Sequence, residues 1–111
     1  MIFRNPLRLK IYLYPERIDM RKSWSGLLSL VQEGMSLNAY EESLFVFCGR
    51  SGRLVKLMYW DGNGFCIWMK KLEQGVFPFG IRDGLKIRMP ELRNLLSGID
   101  ARREHRIMDL K

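Results

Sequence analysis

Between Leu44 and Lys71, three apolar runs rich in aromatic and β-branched residues are separated by two glycine-bearing tetrapeptides, Gly49-Arg50-Ser51-Gly52 and Asp61-Gly62-Asn63-Gly64. Apolar runs joined by short glycine turns read as consecutive antiparallel strands, here a three-stranded meander. If each turn is a four-residue loop, Cys48 faces Arg53 and Trp60 faces Phe65. One face of the meander then carries Leu44, Val46, Cys48, Arg53, Val55, Leu57, Tyr59, Cys66, Trp68 and Lys70. The other carries Phe45, Phe47, Leu54, Lys56, Met58, Trp60, Phe65, Ile67, Met69 and Lys71. Neither face is polar along its length, so the rest of the chain must cover both.

The flanking segments supply the cover. Leu7 to Tyr14 alternates Leu7, Leu9, Ile11 and Leu13 with Arg8, Lys10, Tyr12 and Tyr14, the pattern of a half-buried strand with one solvent-facing side, and Pro15 ends it. Asp19 is a suitable N-cap for a helix on which Met20, Trp24, Leu27, Leu28 and Val31 recur at helical spacing, with Gly34 as a stop. That stripe assigns Trp24 to the core. Ser36 to Ser43 reads as a connecting loop, and Val76 to Gly80 as a short extended piece kept at an edge by Pro78. Leu85 to Met89 is a further short strand. Pro90 opens a second helix with Leu92, Leu95, Leu96 and Ile99 on one stripe and Gly98 as its stop. The fold class is therefore α+β, a mostly antiparallel sheet of about five strands with a central three-stranded meander, covered by two helices.

At 111 residues and 47% hydrophobic content, the chain is long and apolar enough for one packed core. Residues 1–101 read as a single domain, and residues 102–111, rich in arginine, as a basic flexible tail. No apolar run is long enough to span a bilayer, and charges interrupt the first residues where a signal peptide needs an apolar centre, which points to a cytoplasmic protein without membrane contact. Cys48 and Cys66 sit in strands about six residues apart along the middle one, roughly 20 Å, too far to bridge. They are expected to be reduced. With His105 in the tail, they make no zinc ligand set, and no metal or other cofactor is expected.

Catalytic chemistry is not legible. Asp19, Asp61, Asp83 and Asp100 fall at turns or element ends, where aspartate is the usual turn or cap residue. Neither glycine tetrapeptide opens a helix as a phosphate loop does, and both serve better as hairpin turns. Trp60, Phe65 and Trp68 are better placed in a core than as base-stacking platforms. Charge is more informative, because a net +7 suits a polyanionic partner. Arg50 and Arg53 flank the first turn, and the register sets Lys70 and Lys71 opposite Val55 and Leu54, gathering four cations at one end of the sheet. Such a cluster can grip a nucleic-acid backbone without reading sequence, or it can guard a sheet edge. Arg21 and Lys22, in the first turn of the first helix, are cations where the helix dipole disfavours them, and a phosphate contact beside the free N–H groups would offset that cost.

Several of these segments, taken together, resemble a known family. Asp19-Met20-Arg21-Lys22 before an amphipathic helix, Leu44-Phe45-Val46-Phe47 running into Gly49-Arg50, Val55-Lys56, Trp60-Asp61-Gly62-Asn63-Gly64-Phe65, Lys71-Leu72-Glu73 with Gly75 and Phe77, and Leu95-Leu96-Ser97-Gly98-Ile99-Asp100 resemble the TnpB accessory proteins of insertion-sequence-66 type mobile elements. The order and spacing hold from about Leu9 to Asp100. The resemblance implies a small non-catalytic protein encoded beside a DDE-type transposase and needed for the element to move, distinct from the RNA-guided nuclease that shares its name. Two functions fit it: a DNA-binding accessory acting at the element ends through Arg21, Lys22, Arg50, Arg53, Lys70 and Lys71, or an adaptor for the transposase and the element's other accessory protein with no direct DNA contact.

Overall fold

The computed structural model describes residues 9–78 and 85–98. Five strands form one sheet: β1 (Lys10–Leu13), β2 (Ser43–Cys48), β3 (Leu54–Trp60), β4 (Phe65–Lys71) and β5 (Lys86–Ile87), in the order β4-β3-β2-β1-β5. The meander is β2-β3-β4, and every pairing is antiparallel except β1 with β2, which is parallel. Helix α1 (Trp24–Ser29) continues into a π-helical segment, Leu30–Gly34, and α2 spans Met89–Ser97. This is the α+β architecture expected from the strand pattern.

Each face of the sheet has its own core. Leu44, Val46, Cys48, Val55 and Leu57 pack with Ile11, Leu13, Leu72, Phe77 and Ile87 against Leu92 and Leu95 of α2. On the opposite face, Phe45, Phe47 and Met58 pack with Ile18, Met35 and Ala39 against Leu27 of α1 and Val31 of the π-helical segment. The two-residue period of the strands sorts small aliphatics to one side and phenylalanines to the other, so one helix is required on each side. Phe45 and Phe47 are wholly buried, which stabilises the fold by roughly 1.5 to 3 kcal/mol per ring.

The β3–β4 register is the expected one, with Trp60 opposite Phe65, Val55 opposite Lys70 and Leu54 opposite Lys71. The β2–β3 register differs: Cys48 lies opposite Val55, not Arg53. Gly49 still hydrogen-bonds Leu54, its N–H donating to the carbonyl at 2.9 Å, so the four-residue loop is Arg50 to Arg53, one position later than expected. Gly52, at φ +78°, supplies the left-handed residue inside that loop. A shift of two in the pairing leaves every side chain on its expected face. It also brings Cys48 closer to Cys66, whose partner is Tyr59, but four residues along β3 still hold them well beyond bridging distance, and both are free.

Other expectations are corrected. Tyr12 and Tyr14 are not solvent-facing residues of a half-buried strand: they are half-buried, with Tyr12 stacked on Phe45 at 5.8 Å and Tyr14 tilted against Phe47 at 5.7 Å. This follows from the parallel pairing, which sets Tyr12 beside Phe45 on the face packed by Leu27 and Val31. Asp19 is not the N-cap of α1, whose cap is Ser23. Its carboxylate instead accepts from the Arg21 N–H at 2.9 Å and closes a turn ahead of the helix. Trp24 is 53% exposed and not in the core. With the helix starting at Trp24, the ring lies over the sheet margin and stacks on Phe65 at 6.2 Å.

Helix α2 begins at Met89, so Pro90 takes its second position, where a missing N–H costs nothing. Glu91 reaches back to accept the Arg88 N–H at 3.1 Å. Gly98, at φ +73°, ends the helix as expected. The strand residues Leu7 and Arg8, the stripe residue Ile99 and the basic tail lie outside the described residues.

Candidate nucleic-acid interface

The segment from Ile18 to Lys22 crosses the end of the sheet beside the β2–β3 loop. Ile18 and Gly49 form a parallel bridge, with the Ile18 N–H donating to the Cys48 carbonyl at 2.9 Å and the Arg50 N–H to the Ile18 carbonyl at 3.1 Å. A half-buried lysine fastens the same segment. Lys56 projects from the phenylalanine face of β3 and its ammonium donates to the Met20 carbonyl at 2.8 Å and the Lys22 carbonyl at 3.0 Å. Arg17 ties the loop from the other side, donating to the Gly49 carbonyl at 3.0 Å.

These anchors unite two groups that are far apart in the chain. Arg21 and Arg50 sit around Asp19, whose carboxyl is held well below the usual carboxylate range, first by hydrogen bonds from the Arg21 side chain and then by the Arg21 N–H, with Arg50 adding to the field. Lys22 belongs to the same turn through its N–H, which donates to the Asp19 carbonyl at 3.2 Å, while its side chain lies along Gly26. The Arg21 guanidinium meets Asp19 at 2.6 Å yet its side chain is 91% exposed, so it keeps a solvent-facing edge. Lys22 and Arg50 are exposed. Arg21 and Lys22 do not stand in the first turn of α1, as expected, but a turn ahead of it, so no helix N-terminus is shared with them.

The remaining cations divide between the faces. Lys71 is exposed opposite Leu54, on the same face as Lys56. Arg53 is exposed at the loop and donates to the Glu73 carbonyl at 3.2 Å. Lys70 points to the opposite face and donates to the Leu96 carbonyl at 2.9 Å, where a cation suits the C-terminal end of α2. The four meander cations thus share one end of the sheet but not one surface. Arg17 and Lys56, absent from the sequence-level candidates, position the others. Lys56 was legible only as a charge inside the strand alternation, and Arg17 carried no local signal.

A second feature of the surface is apolar. Trp24, Tyr40, Trp60 and Phe65 form a connected ring cluster, with Tyr40 at 5.0 Å from Trp60 and 5.2 Å from Phe65, and Trp24 and Tyr40 about half exposed. Ile67, Trp68 and Met69 continue the exposure along β4. The core placement expected of Trp68 is therefore not met, because β4 is the outermost strand.

Among the described residues, no group of three or more His, Cys, Asp or Glu side chains is placed to hold a metal ion, and no helix is long and apolar enough to cross a membrane. The described residues thus form a small sheet with a basic end and an apolar margin. The chain belongs to the family described as IS66 Orf2 like protein, which it matches over residues 9–106. That family is an accessory one, associated with transposition, and not a known catalytic family. Two proteins of Sinorhizobium fredii (strain NBRC 101917 / NGR234) are similar along most of their length. Uncharacterized protein y4hO is 38% identical over 96 residues, covering 85% of this chain and 84% of the relative. Uncharacterized protein y4jC is 33% identical over 100 residues, covering 88% and 86%. No solved structure matches the chain.

Proposed function

We propose that this protein is a non-catalytic accessory of insertion-sequence transposition that acts in the cytoplasm and grips the DNA backbone at the element ends with the basic end of its sheet. The observation that carries the reading is the meeting of Arg21 and Arg50 at Asp19, from segments distant in sequence and with Lys22 next to Arg21 in the chain, on a scaffold fastened by Lys56 and Arg17. Arg53 and Lys71 extend that end, and Lys70, engaged by Leu96, contributes its field. Cations of this kind contact phosphates and carry no base information.

The test is salt-dependent binding to element-end and unrelated duplexes. Neutralising Arg50, Arg53, Lys70 and Lys71 together should weaken both duplexes about equally and make the slope of log affinity against log salt shallower by about 0.9 for each phosphate no longer neutralised. Neutralising Arg21 and Lys22 should add to that loss. Wild-type protein that binds neither duplex at low salt overturns the reading. The adaptor function, with the transposase as partner, would then lead, and the exposed apolar margin of β4 favours it. Copurification of wild-type protein with the transposase in the absence of DNA tests that second reading.

A further inference from the structure

The edge strand β4 is unlike a guarded edge. All seven of its residues are at least partly exposed, and the middle of the strand is apolar on both faces, with Ile67 and Met69 to one side and Trp68 to the other. Its cations stand only at the last two positions. Edges are usually protected by a central charge, a proline or a bulge, and β4 carries none of these. Nucleic acid does not account for the strip, since Ile67 and Met69 offer neither a ring to stack on nor a charge.

The backbone hydrogen bonds say which residues are available. The Asp61 N–H donates to Gly64 and the Leu72 N–H to Arg53, so the hydrogen-bonded pairs with β3 fall on the even positions of β4. Phe65, Ile67, Met69 and Lys71 therefore turn their N–H and C=O groups outward. An antiparallel strand with the same spacing of outward groups can pair with all of them.

We propose that this strand is a second copy of β4, joined about a two-fold axis at Trp68. In that register Ile67 faces Met69 of the other copy and Phe65 faces Lys71, each exchanging two hydrogen bonds, while Cys66 faces Lys70 and Trp68 faces its own equivalent as a non-hydrogen-bonded pair. Apolar side chains meet apolar ones, and each cation lies across from a residue of the other strand's uncharged end. An aromatic ring opposite Lys71 suits a cation. No lysine faces a lysine, which matters for a chain of net charge +7 and which a parallel, in-register pairing would violate. The overlap uses all seven residues, and both cores would continue across the new seam. This pairing stands independently of DNA binding.

The test is the mass of the full chain in solution by light scattering across a concentration series. Wild-type protein should form a concentration-dependent dimer. Ile67→Pro removes an outward N–H without touching the β3 ladder and should raise the dissociation constant at least about tenfold, as should Trp68→Lys, which sets two ammonium groups together on the axis. Should Ile67→Pro fail to fold by far-UV circular dichroism, Trp68→Lys and cross-linking decide. In a C66S background, W68C should oxidise readily to a covalent dimer, because non-hydrogen-bonded partners have Cα atoms about 4.5 Å apart, within disulfide range. In the same background M69C, offset from its own equivalent, should oxidise far more slowly. A wild-type monomer at every concentration overturns the proposal. So does a dimer that survives both substitutions, or cross-linking with no preference for W68C. A monomer whose edge is taken by the transposase, or by this chain's own remaining residues, also overturns it.

Discussion

Strands β2 and β4 are both rich in aromatic, β-branched and sulfur-bearing residues, yet all six residues of β2 are buried and none of the seven in β4 is. β2 lies between β1 and β3 with a helix-covered core on each face. β4 has one neighbour, and the described residues leave much of both its faces open. Hydrophobic composition states what a strand can do in a core, and its place in the sheet decides whether it gets there.

The two cysteines make the largest test of that contrast. Cys48 in β2 is wholly buried, and desolvation pushes its thiol up to about 11, whereas Cys66 in β4 is half-buried. A thiol reagent at neutral pH should label Cys66 in the folded protein and reach Cys48 only through global opening, about a thousandfold more slowly or beyond. Comparable rates would break the comparison. Phe47→Ala should cost about 3 to 5 kcal/mol in denaturant unfolding, because a wholly buried ring leaves a cavity. Trp24→Ala should cost only about 1 kcal/mol, the scale of its ring pair with Phe65, since half of its surface is already in water. Met69→Ala, near the middle of β4, should stay within about 0.5 kcal/mol of wild type when the monomer is measured at low protein concentration.

The smallest effect is expected at Asp19, where good geometry meets a largely solvent-exposed partner, Arg21. Because its carboxyl is held low in the folded protein, first by the Arg21 side chain, the stabilisation is present above the ordinary carboxylate range and is lost as pH falls toward the folded value. Wild type and Asp19→Asn should therefore differ slightly in thermal midpoint at neutral pH and converge in strong acid. Added salt should shrink the gap. A large, salt-insensitive gap would mean that this turn is as sheltered as β2.

Much of the fold was legible because periodicity is robust. The two faces of the meander survive a displaced hairpin loop, since the pairing moved by two residues and the strand period is also two. What failed depended on partners distant in sequence. The alternation of Ile11 and Leu13 with Tyr12 and Tyr14 announces a strand, but not that β2 pairs with it in parallel and sets the tyrosines, half-buried, against its phenylalanines. Asp19 is as good a turn former as a helix cap, and nothing local chose between them. The helical spacing of Trp24 with Leu27 and Val31 was real, but a six-residue helix has little room on its buried face, and its first residue fell outside. The candidate site was legible as charge and not as geometry: the bridge between Ile18 and Gly49 that joins Arg21 to Arg50 leaves no local pattern.

The parallel pairing of β1 with β2 also fixes an order of events in time. The meander closes through two short loops and can zip locally, whereas Lys10 must find Ser43 and Ile11 must find Ile87. As the chain is synthesised, β1 is made first and finished late: its first partner follows only after the whole α1 crossover, a delay of seconds at cellular elongation rates. Both cores include residues from β1 or packed against it, so neither is complete until that strand docks. Docking of β1, rather than formation of the hairpins, is therefore the step expected to set the folding rate.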